Sequence, residues 1–379
     1  MKRKILVTTG TRAEYGILRS LLYEIVHNPK LQLILVVTGT HLSKKYGYTI
    51  NEIKKDGFKI NYKFSSIPKN DDNFSMSIQL GKSVVRFSEI FKKFKPDINI
   101  LIGDRDEILA SSLAASHMNI INAHIAGGDI SGGLDEYNRH AITKLSNIHF
   151  PATKKSKQRI LQMGETPKNV FHFGSLNIDE VKNNLIANKK ILKEKYDLPL
   201  NGDEILLLQH STTTETKHAK TQISTTLQAL NKFNLPIIAI SPNSDAGSKQ
   251  ISDYLLKYAQ SHKNFRFFTT FPRSEFLCLL NNCKILVGNS SSGIIEASYF
   301  DIPIVNIGNR QLNREQGKNI FNVSKFDKND IFNVISKAMK YKKSKNNFVY
   351  GHVNTAKKIA KILETIRLND ELIQKQITY

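Results

Sequence analysis

The stretch INILIGDRDEILASSLAASHMNIINAHIAGGDISGGLDEYNRH, residues 98–140, decides the fold. Its two apolar runs, at residues 98–102 and 121–126, each end at a polar loop that contains glycine. Runs of this length, with a helix-forming segment between them, are typical of buried parallel strands joined by a crossover helix. In open α/β sheets, ligands bind at the carboxyl ends of the strands. The two loops are therefore predicted to line a ligand site.

Charged side chains are concentrated in and after these loops. They are Asp104, Arg105, Asp106, Glu107, Asp129, Asp135, Glu136, Arg139 and His140. Neighbouring glycines permit close approach of a ligand to the backbone. For Asp106 or Glu107 taken alone, capping of the following helix is the simpler interpretation. The whole cluster indicates a site for a charged substrate.

Strand-length apolar runs alternate with helical segments through the first 150 residues, and again from about residue 204 to residue 307. This alternation predicts an α/β protein with two Rossmann-like, doubly wound domains facing a cleft. The length of 379 residues also favours two domains. The predicted domains are residues 1–178 and 179–379. The last helix, at about 354–373, is amphipathic, and its apolar face can pack back on the first domain.

Composition narrows the class of protein. Hydrophobic residues make up 40% of the chain and charged residues 23%, as in ordinary globular proteins. No apolar run approaches the roughly 20 residues that span a bilayer, and the basic amino terminus leads directly into a strand. We therefore expect a cytoplasmic protein without membrane insertion. Cys278 and Cys283 are expected to be free and buried rather than paired or metal-bound.

The net charge of +22 raises nucleic acid as a partner. However, the lysines are spread along helical segments and are not gathered with aromatic residues. Solvated helix faces are the favoured explanation, and no nucleic-acid partner is expected. The positive charge also suits a polyanionic small substrate such as a nucleotide.

The motif GTRAEYG, residues 10–16, joins a strand to a helix and places Arg12 beside free backbone amides. It lacks both the dinucleotide GxGxxG spacing and the Walker ending, so NAD and ATP are not supported. No cofactor and no metal are expected.

The motif GNSSSGIIE, residues 288–296, has the strand–turn–helix form of a phosphate site, with the hydroxyls of Ser290 and Ser291 at the turn. Glu296 is placed to accept hydrogen bonds from a ribose diol. A simple helix cap is the alternative interpretation of the serines. His210 and Arg310 follow two other predicted strand ends and add cationic or donor groups.

Together these motifs resemble those of the hydrolysing UDP-N-acetylglucosamine 2-epimerases, the enzymes that begin sialic acid synthesis. The matching motifs are GTRAEYG (10–16), GDRDE (103–107), HIAGGD (124–129), DEYNRHAITKLSNIH (135–149), QHSTTTETKH (209–218), NSDAGSK (243–249), GNSSSGIIEA (288–297) and GNRQLNREQGKN (308–319). They occur in the family's order and span nearly the whole chain. The resemblance implies the GT-B fold, UDP held mainly by the second domain, and the sugar facing the carboxylates of the first.

The resemblance also implies roles for individual residues. The catalytic candidates are Asp104, Asp135, Asp129 and Glu136, with Asp104 and Asp135 as the first choices for acid/base groups. The substrate-binding candidates are Arg12, Arg105, Arg139, His210, Asn243, Ser290, Ser291, Glu296 and Arg310. The implied reaction eliminates UDP from UDP-N-acetylglucosamine or a related sugar and hydrates the resulting glycal to free N-acetylmannosamine. A homodimer or homotetramer is expected.

Two positions depart from the family pattern. Ala126 stands where the family usually has a catalytic Glu, and Ser211 stands after His210 in place of a proline. Asp129, three residues after Ala126, is hypothesised to cover the lost acid/base role; bonding to loop amides is the equal alternative. The exact sugar stays open, with UDP-N,N′-diacetylbacillosamine as the main alternative. A non-hydrolysing epimerase and another GT-B glycosyltransferase are the rival enzymes.

Overall fold

The computed structural model describes residues 2–44, 47–70, 72–130, 134–183, 188–242, 247–311, 313–344, 349–351 and 353–379. The chain forms two compact units. Unit 1 comprises Met1–Glu180 and Gly351–Tyr379, and unit 2 comprises Val181–Tyr350. Each unit contains a six-stranded, wholly parallel sheet with helices, which confirms the predicted α/β class and is the GT-B-like arrangement.

The sheet of unit 1 has the order β3-β2-β1-β4-β5-β6. Its strands are β1 (Arg3–Thr9), β2 (Leu31–Val37), β3 (Ile60–Lys63), β4 (Ile98–Ile102), β5 (Ile121–Ile125) and β6 (Ile148–Phe150). The helices that begin in unit 1 are α1 (Arg12–His27), α2 (Ile50–Lys55), α3 (Asn73–Phe94), α4 (Asp106–His117), α5 (Leu134–Lys144), α6 (Lys154–Gln162), α7 (Leu176–Asn183), α14 (Thr355–Thr365) and α15 (Asp370–Ile373). This is the Rossmann strand order. The first three strands are added toward one edge of the sheet and the last three toward the other, so the strand order reverses between β1 and β4.

Unit 2 repeats the same order, as β12-β11-β10-β7-β8-β9. Its strands are β7 (Ile205–Leu208), β8 (Ile237–Ile240), β9 (Phe265–Phe268), β10 (Ile285–Gly288), β11 (Ile304–Ile307) and β12 (Ile320–Val323). Its further helices are α8 (Lys189–Tyr196), α9 (Ala219–Leu230), α10 (Ser248–Ser261), α11 (Arg273–Asn282), α12 (Ser291–Phe300) and α13 (Lys328–Ala338). The equivalent reversal lies between β7 and β10.

The central strands are largely apolar because helices cover both faces of each sheet, and a polar exception such as Asn99 of β4 is buried and hydrogen-bonded to Asn122. In β7, Leu207 belongs to the core on one face, together with residues of α9, α10 and α13. Leu206 belongs to the core on the other face, together with residues of α8, α11 and α12. This is why the strands read as continuous apolar runs rather than alternating ones. Polar loop residues are left at the carboxyl edge.

Two elements differ from the sequence-based expectation. β12 was not predicted, because IFNV is short, lies at the sheet edge and is only partly buried. The predicted single helix at 354–373 is two helices, since α14 ends at Thr365 and Asn369 caps α15 by accepting a hydrogen bond from the Leu372 amide at 3.1 Å. Leu363 and Leu372 both pack in the core of unit 1, so unit 2 ends at Tyr350.

Two simpler features complete the fold. Cys278 and Cys283 are buried and free, as predicted. Within the described ranges, no helix is long and apolar enough to cross a membrane.

Candidate functional site

In unit 1, Arg139 of α5 connects the loops that follow β4 and β5. Its Nη2 contacts a carboxylate oxygen of Asp104, and its Nη1 donates to the Ala126 carbonyl at 3.3 Å. Arg139 is 4% exposed, so its charge is buried and needs this partner. Next to it, Asn138 donates to Asp106 at 3.0 Å. The two charged loops predicted from the sequence are therefore brought together.

His124 in β5 connects the loop after β4 to helix α5. Its Nε2 lies 2.8 Å from the Gly103 carbonyl, and its Nδ1 lies 3.0 Å from the Thr143 hydroxyl. Because a carbonyl only accepts, Nε2 carries the proton and Nδ1 accepts. Burial lowers the pKa of His124 to about 3, so the ring stays neutral. A Cβ at Gly127 would lie 2.7 Å from Nδ1, which explains why glycine is needed there.

A buried pair of carboxylates lies at the reversal between β1 and β4. Glu14 accepts from the backbone amides of Gly10 and Thr11 at 2.9 and 3.0 Å, while Glu107 pairs with Arg105 at 3.0 Å. Burial, and then the charge of Glu107, raise the pKa of Glu14 to about 8. A Cβ on Gly10 would lie 1.8 Å from the Glu107 carboxylate, so the two elements are in close contact.

The pairing of Glu14 with Glu107 was missed from the sequence. Taken alone, Glu107 has the sequence position of a helix cap, but the N-cap of α4 is Arg105. The sequence motifs give Glu14 no role of its own. The available signal was positional: both residues follow the two strands between which a Rossmann sheet reverses, so their loops had to meet. Arg105, a predicted binding residue, is engaged in this network and has its pKa raised mainly by Glu107.

The other candidates of unit 1 lie in separate surroundings. Asp129 accepts a hydrogen bond from the Ser156 hydroxyl of α6 at 2.5 Å. Asp135 is exposed in the first turn of α5, and Glu136 lies 2.9 Å from His140 on the same helix. Arg12 is half-exposed and pairs with Glu52 of α2 at 3.0 Å.

Ala126, the position of the departure from the family pattern, has a φ of +62°. This left-handed conformation is unfavourable for residues with a Cβ, by about 1–2 kcal/mol. It directs the Ala126 carbonyl to Arg139. The backbone at this position therefore takes part in the loop network, although the side chain carries no functional group.

In unit 2, three loops converge at the reversal between β7 and β10. The Asn289 side chain accepts from the His210 amide at 2.6 Å and donates to the His210 carbonyl at 3.0 Å. Arg310 in turn donates to the Asn289 carbonyl at 3.1 Å. Gly288 has a φ of +143°, and a Cβ there would lie 2.0 Å from the Leu208 carbonyl. His210 and Arg310 are thus joined through Asn289.

Ser290 is the N-cap of α12. Its hydroxyl accepts from the Ser292 amide at 3.3 Å, so the capping interpretation of this serine is correct. Ser291 is the first residue of the helix. A cap occupies only part of the donor capacity of a helix start, and the helix dipole favours an anion there. Capping and phosphate binding are therefore compatible at this turn.

Glu296 of α12 is buried beside Arg273 of α11. One carboxylate oxygen contacts Arg273 Nη2. The other, Oε2, is buried and has no hydrogen-bond partner in the ranges that the structure describes. Arg273 was not singled out from the sequence, because nothing in FPRSEF marks its partner 23 residues away.

Two further observations concern the same loops. Asn243, a predicted ligand contact, lies outside the described residues. Gln209, at the end of β7, is 2% exposed, and neither polar atom of its side chain has a partner in the described part of the chain. The hydroxyl of Ser211 is in the same state. Buried polar atoms without a protein partner are rare, and either water or a ligand can complete them.

A family model described as UDP-N-acetylglucosamine 2-epimerase matches residues 23–364. A UDP-N,N′-diacetylbacillosamine 2-epimerase (hydrolyzing) of Legionella pneumophila is 37% identical over 379 residues, covering 100% of both chains. A UDP-N-acetylglucosamine 2-epimerase of Neisseria meningitidis is 36% identical over 336 residues, covering 89% of this chain and 87% of the relative.

Among solved structures, the UDP-GlcNAc 2-epimerase from Neisseria meningitidis, bound to UDP-GlcNAc, superposes with a TM-score of 0.82. The superposition covers 95% of this chain and 99% of that one, at 20% identity, which establishes the shared fold. The family match extends over most of the chain, as the eight motifs predicted. The chain belongs to the UDP-N-acetylglucosamine 2-epimerase family.

Proposed function

We propose that the chain is a hydrolysing 2-epimerase, which converts a UDP-2-acetamido sugar to UDP and the free sugar with inverted configuration at C2. The observation that carries the proposal is the identity of 37% over the full length with a relative named for a hydrolysing 2-epimerase reaction. The carboxylate loops of unit 1 and the donor-rich loops of unit 2 supply the two kinds of group that this reaction needs.

The chemistry begins with loss of UDP. The C2 proton of the sugar is not acidic, so direct deprotonation is unfavourable. Departure of UDP makes C1 oxocarbenium-like, and the C2 proton is then lost to give a glycal. The negative charge that develops on the diphosphate is stabilised by fixed donors. We assign this role to the start of α12 at Ser290 and Ser291, together with His210, Arg310 and Arg12.

Carboxylates carry the proton transfers. Asp104 and Asp135 are the proposed acid/base pair, and they remove the C2 proton and return a proton to the opposite face while water adds to C1. Arg139 holds Asp104 in place through their contact. Glu136 and Arg105 are proposed to complete the sugar pocket, as is Asn243.

Asp129 is the remaining candidate for the group that Ala126 lacks. Its hydrogen bond to Ser156 of α6 supports a loop-anchoring role, since the carboxylate is already engaged with a neighbouring helix. The catalytic alternative requires that this bond be broken or shared during turnover. The variant Asp129→Asn separates the two roles.

Two sugars are candidates within this reaction. The Legionella relative, matched over the full length of both chains, favours UDP-N,N′-diacetylbacillosamine. The Neisseria relative, at nearly the same identity, favours UDP-N-acetylglucosamine. Both carry the 2-acetamido group and the UDP leaving group on which the mechanism depends.

Incubation with each UDP-sugar, without an acceptor, tests the proposal. NMR spectroscopy should detect UDP and a free 2-acetamido sugar of inverted C2 configuration, and in deuterated water the product should carry deuterium at C2. A UDP-linked epimer would identify a non-hydrolysing enzyme. Turnover only after addition of a sugar acceptor would identify a glycosyltransferase. The ratio of kcat/KM for the two substrates determines which sugar is used.

We also propose self-association as a homodimer or homotetramer. One face of α3 exposes Phe74, Ile78 and Val85, which recur at helical spacing and are 77%, 44% and 63% exposed. Exposed apolar surface of this kind marks interaction sites. Light scattering should give a mass of two or four chains, and Val85→Asp should lower it. A wild-type monomer would contradict the proposal.

A further inference from the structure

We infer that Arg273 is a positioning residue, which holds Glu296 so that one carboxylate oxygen remains available to the ribose of the bound nucleotide. This inference rests on the proposed function, because it requires that unit 2 bind a uridine nucleotide. It adds a specificity-determining residue that none of the family motifs identified in the sequence contains.

Glu296 is a buried carboxylate that requires a charged partner. Its side chain is 5% exposed and lies in the second turn of α12. A buried carboxylate is strongly unfavourable unless it is paired. Arg273 provides that pairing from the first position of α11, and its own side chain is 30% exposed. Glu296 and Arg273 therefore form one unit whose geometry is set by the packing of two helices.

The two oxygens of the Glu296 carboxylate have different contacts. Arg273 engages Oε1, whereas Oε2 is buried without a hydrogen-bond partner in the described ranges. An ionised carboxylate only accepts hydrogen bonds. The group that completes Oε2 must therefore be a donor, such as a hydroxyl or an N–H. A phosphate is excluded as the direct partner, because its oxygens are acceptors and carry the same charge.

The position of Glu296 relative to the proposed phosphate site at Ser290 indicates which donor completes Oε2. Glu296 is six residues after Ser290, which corresponds to about 9 Å along a helix. Helical side chains tilt toward the N-terminus, so the carboxylate reaches back toward the Ser290 turn. In a nucleoside diphosphate the ribose hydroxyls are the donors nearest to the phosphates. A ribose hydroxyl is thus the group expected at Oε2 when a diphosphate lies at the helix start.

Arg273 has two effects in this arrangement. It fixes the orientation of the Glu296 carboxylate by engaging Oε1, which leaves Oε2 for the ribose. It also neutralises a carboxylate that would otherwise repel the nearby diphosphate. The planar guanidinium defines an orientation that a lysine ammonium does not. Loss of Arg273 should therefore weaken recognition of the ribose hydroxyl in particular, beyond any general loss of affinity.

The test is calorimetric titration of UDP, 2′-deoxy-UDP and 3′-deoxy-UDP into the full chain. We expect the wild type to bind UDP roughly tenfold or more tightly than at least one deoxy analogue, the value for a hydrogen bond to a charged group. Arg273→Gln should bring this ratio close to one, as should Glu296→Gln. Arg266→Gln is the matched control, since Arg266 forms an exposed ion pair with Asp197 in the same unit and should leave the ratio unchanged.

The double variant extends the test. If Arg273 acts through Glu296, Arg273→Gln should cause no further loss of discrimination in the Glu296→Gln background. A folded Arg273→Gln protein that keeps the full wild-type ratio would overturn the inference. If Arg273→Gln does not fold, Arg273→Lys replaces it in the test. A wild-type ratio of the affinities for UDP and the deoxy analogue in Arg273→Lys would likewise overturn the inference.

The outcomes for the wild type separate this inference from the proposed function. Tight binding of UDP with equal affinity for both deoxy analogues would overturn the role of Glu296 and Arg273 and leave the proposed function intact. Failure of the wild type to bind UDP at all would contradict the proposed function itself.

Discussion

The loops of unit 1 and unit 2 occupy the same position in sheets of the same strand order, yet they carry different functional groups. In unit 1 the reversal between β1 and β4 collects carboxylates, namely Asp104, Glu107 and Glu14, with two guanidiniums between them. In unit 2 the reversal between β7 and β10 collects hydroxyl, amide and cationic donors. The fold determines where a site lies, and the residues in the loops determine what it does.

Both regions keep buried polar atoms that have no partner in the described residues, but the groups concerned differ. In unit 1, Asp104, Arg105 and Glu107 are each engaged with a charged partner, whereas Glu14 keeps one carboxylate oxygen, Oε1, without a hydrogen-bond partner in the described part of the chain. In unit 2, Gln209, Ser211 and Glu296 keep buried polar atoms without partners in the described residues. Such atoms are costly unless a ligand completes them. The carboxylates of unit 1 suit the proposed proton transfer, and the hydroxyl and amide groups of unit 2 suit the proposed nucleotide binding.

The largest expected effect comes from the carboxylates of unit 1. Asp104→Asn should lower kcat by about 10²–10⁴, the usual range for general acid–base groups, while the affinity for UDP stays near that of the wild type. Steady-state kinetics and calorimetry measure the two quantities. Asp106→Asn, at the first position of α4, is the control and should retain most of the activity. A parallel loss of UDP affinity in Asp104→Asn would break the division between the units.

The converse variant is in unit 2. Arg310→Ala should weaken UDP binding by about 1.5–3 kcal/mol, because a hydrogen bond to a charged group is removed. In kinetics kcat/KM should fall, and kcat should fall with it because Arg310 is proposed to stabilise the charge that develops on the departing diphosphate. Arg266→Gln again serves as the control for removal of a surface arginine. Unchanged affinity for UDP in a folded Arg310→Ala protein would argue against a phosphate site at these loops.

The burial of charge in unit 1 predicts a dependence of stability on pH. The pKa of Glu14 is raised from 4.5 to about 8, so the folded state holds its proton more tightly than the unfolded state does. Its contribution to stability is full below pH 4.5 and is lost as the pH rises toward 8. Thermal unfolding should show Glu14→Gln gaining stability relative to the wild type across this range, by several degrees.

Glu107→Gln provides the control for that prediction. Burial is the main cause of the raised pKa of Glu14 and the charge of Glu107 is the second. Removal of that charge should therefore reduce the pH dependence without abolishing it. A wild type and a Glu14→Gln variant with parallel stability curves would show that Glu14 is ionised at little cost.

The smallest effect concerns Asp129. Its hydrogen bond to Ser156 anchors the loop after β5 to α6, and loss of one such bond typically costs about 1 kcal/mol. We expect Asp129→Asn to lower the melting temperature slightly and to keep most of kcat, with Ser156→Ala behaving alike. A kcat loss of about 10² or more at unchanged stability would instead assign Asp129 the role that Ala126 lacks.

Much of the candidate site was accessible from the sequence because the relevant signals are local. An apolar run such as INILI, ending at Gly103, identifies a buried strand and a loop at its carboxyl end. The serine-rich turn before α12 identifies a helix start with free amides. The Rossmann order then requires that the loops after β4 and β5 be neighbours. These inferences need only hydrophobic periodicity and turn chemistry, which act within a few residues.

Tertiary structure decided which side chains are partners. Arg273 and Glu296 belong to different helices, Glu14 and Glu107 to different strand ends, and Asp129 contacts a helix that begins 25 residues further on. Such pairs depend on how helices pack across a sheet, and no local pattern encodes the final distance between two side chains. The sequence by itself determined the two sheets, the loops that line the sites and the family. Packing alone decided which buried charges are paired and which buried polar atoms have no partner in the described residues, because desolvation and pairing are properties of the assembled core.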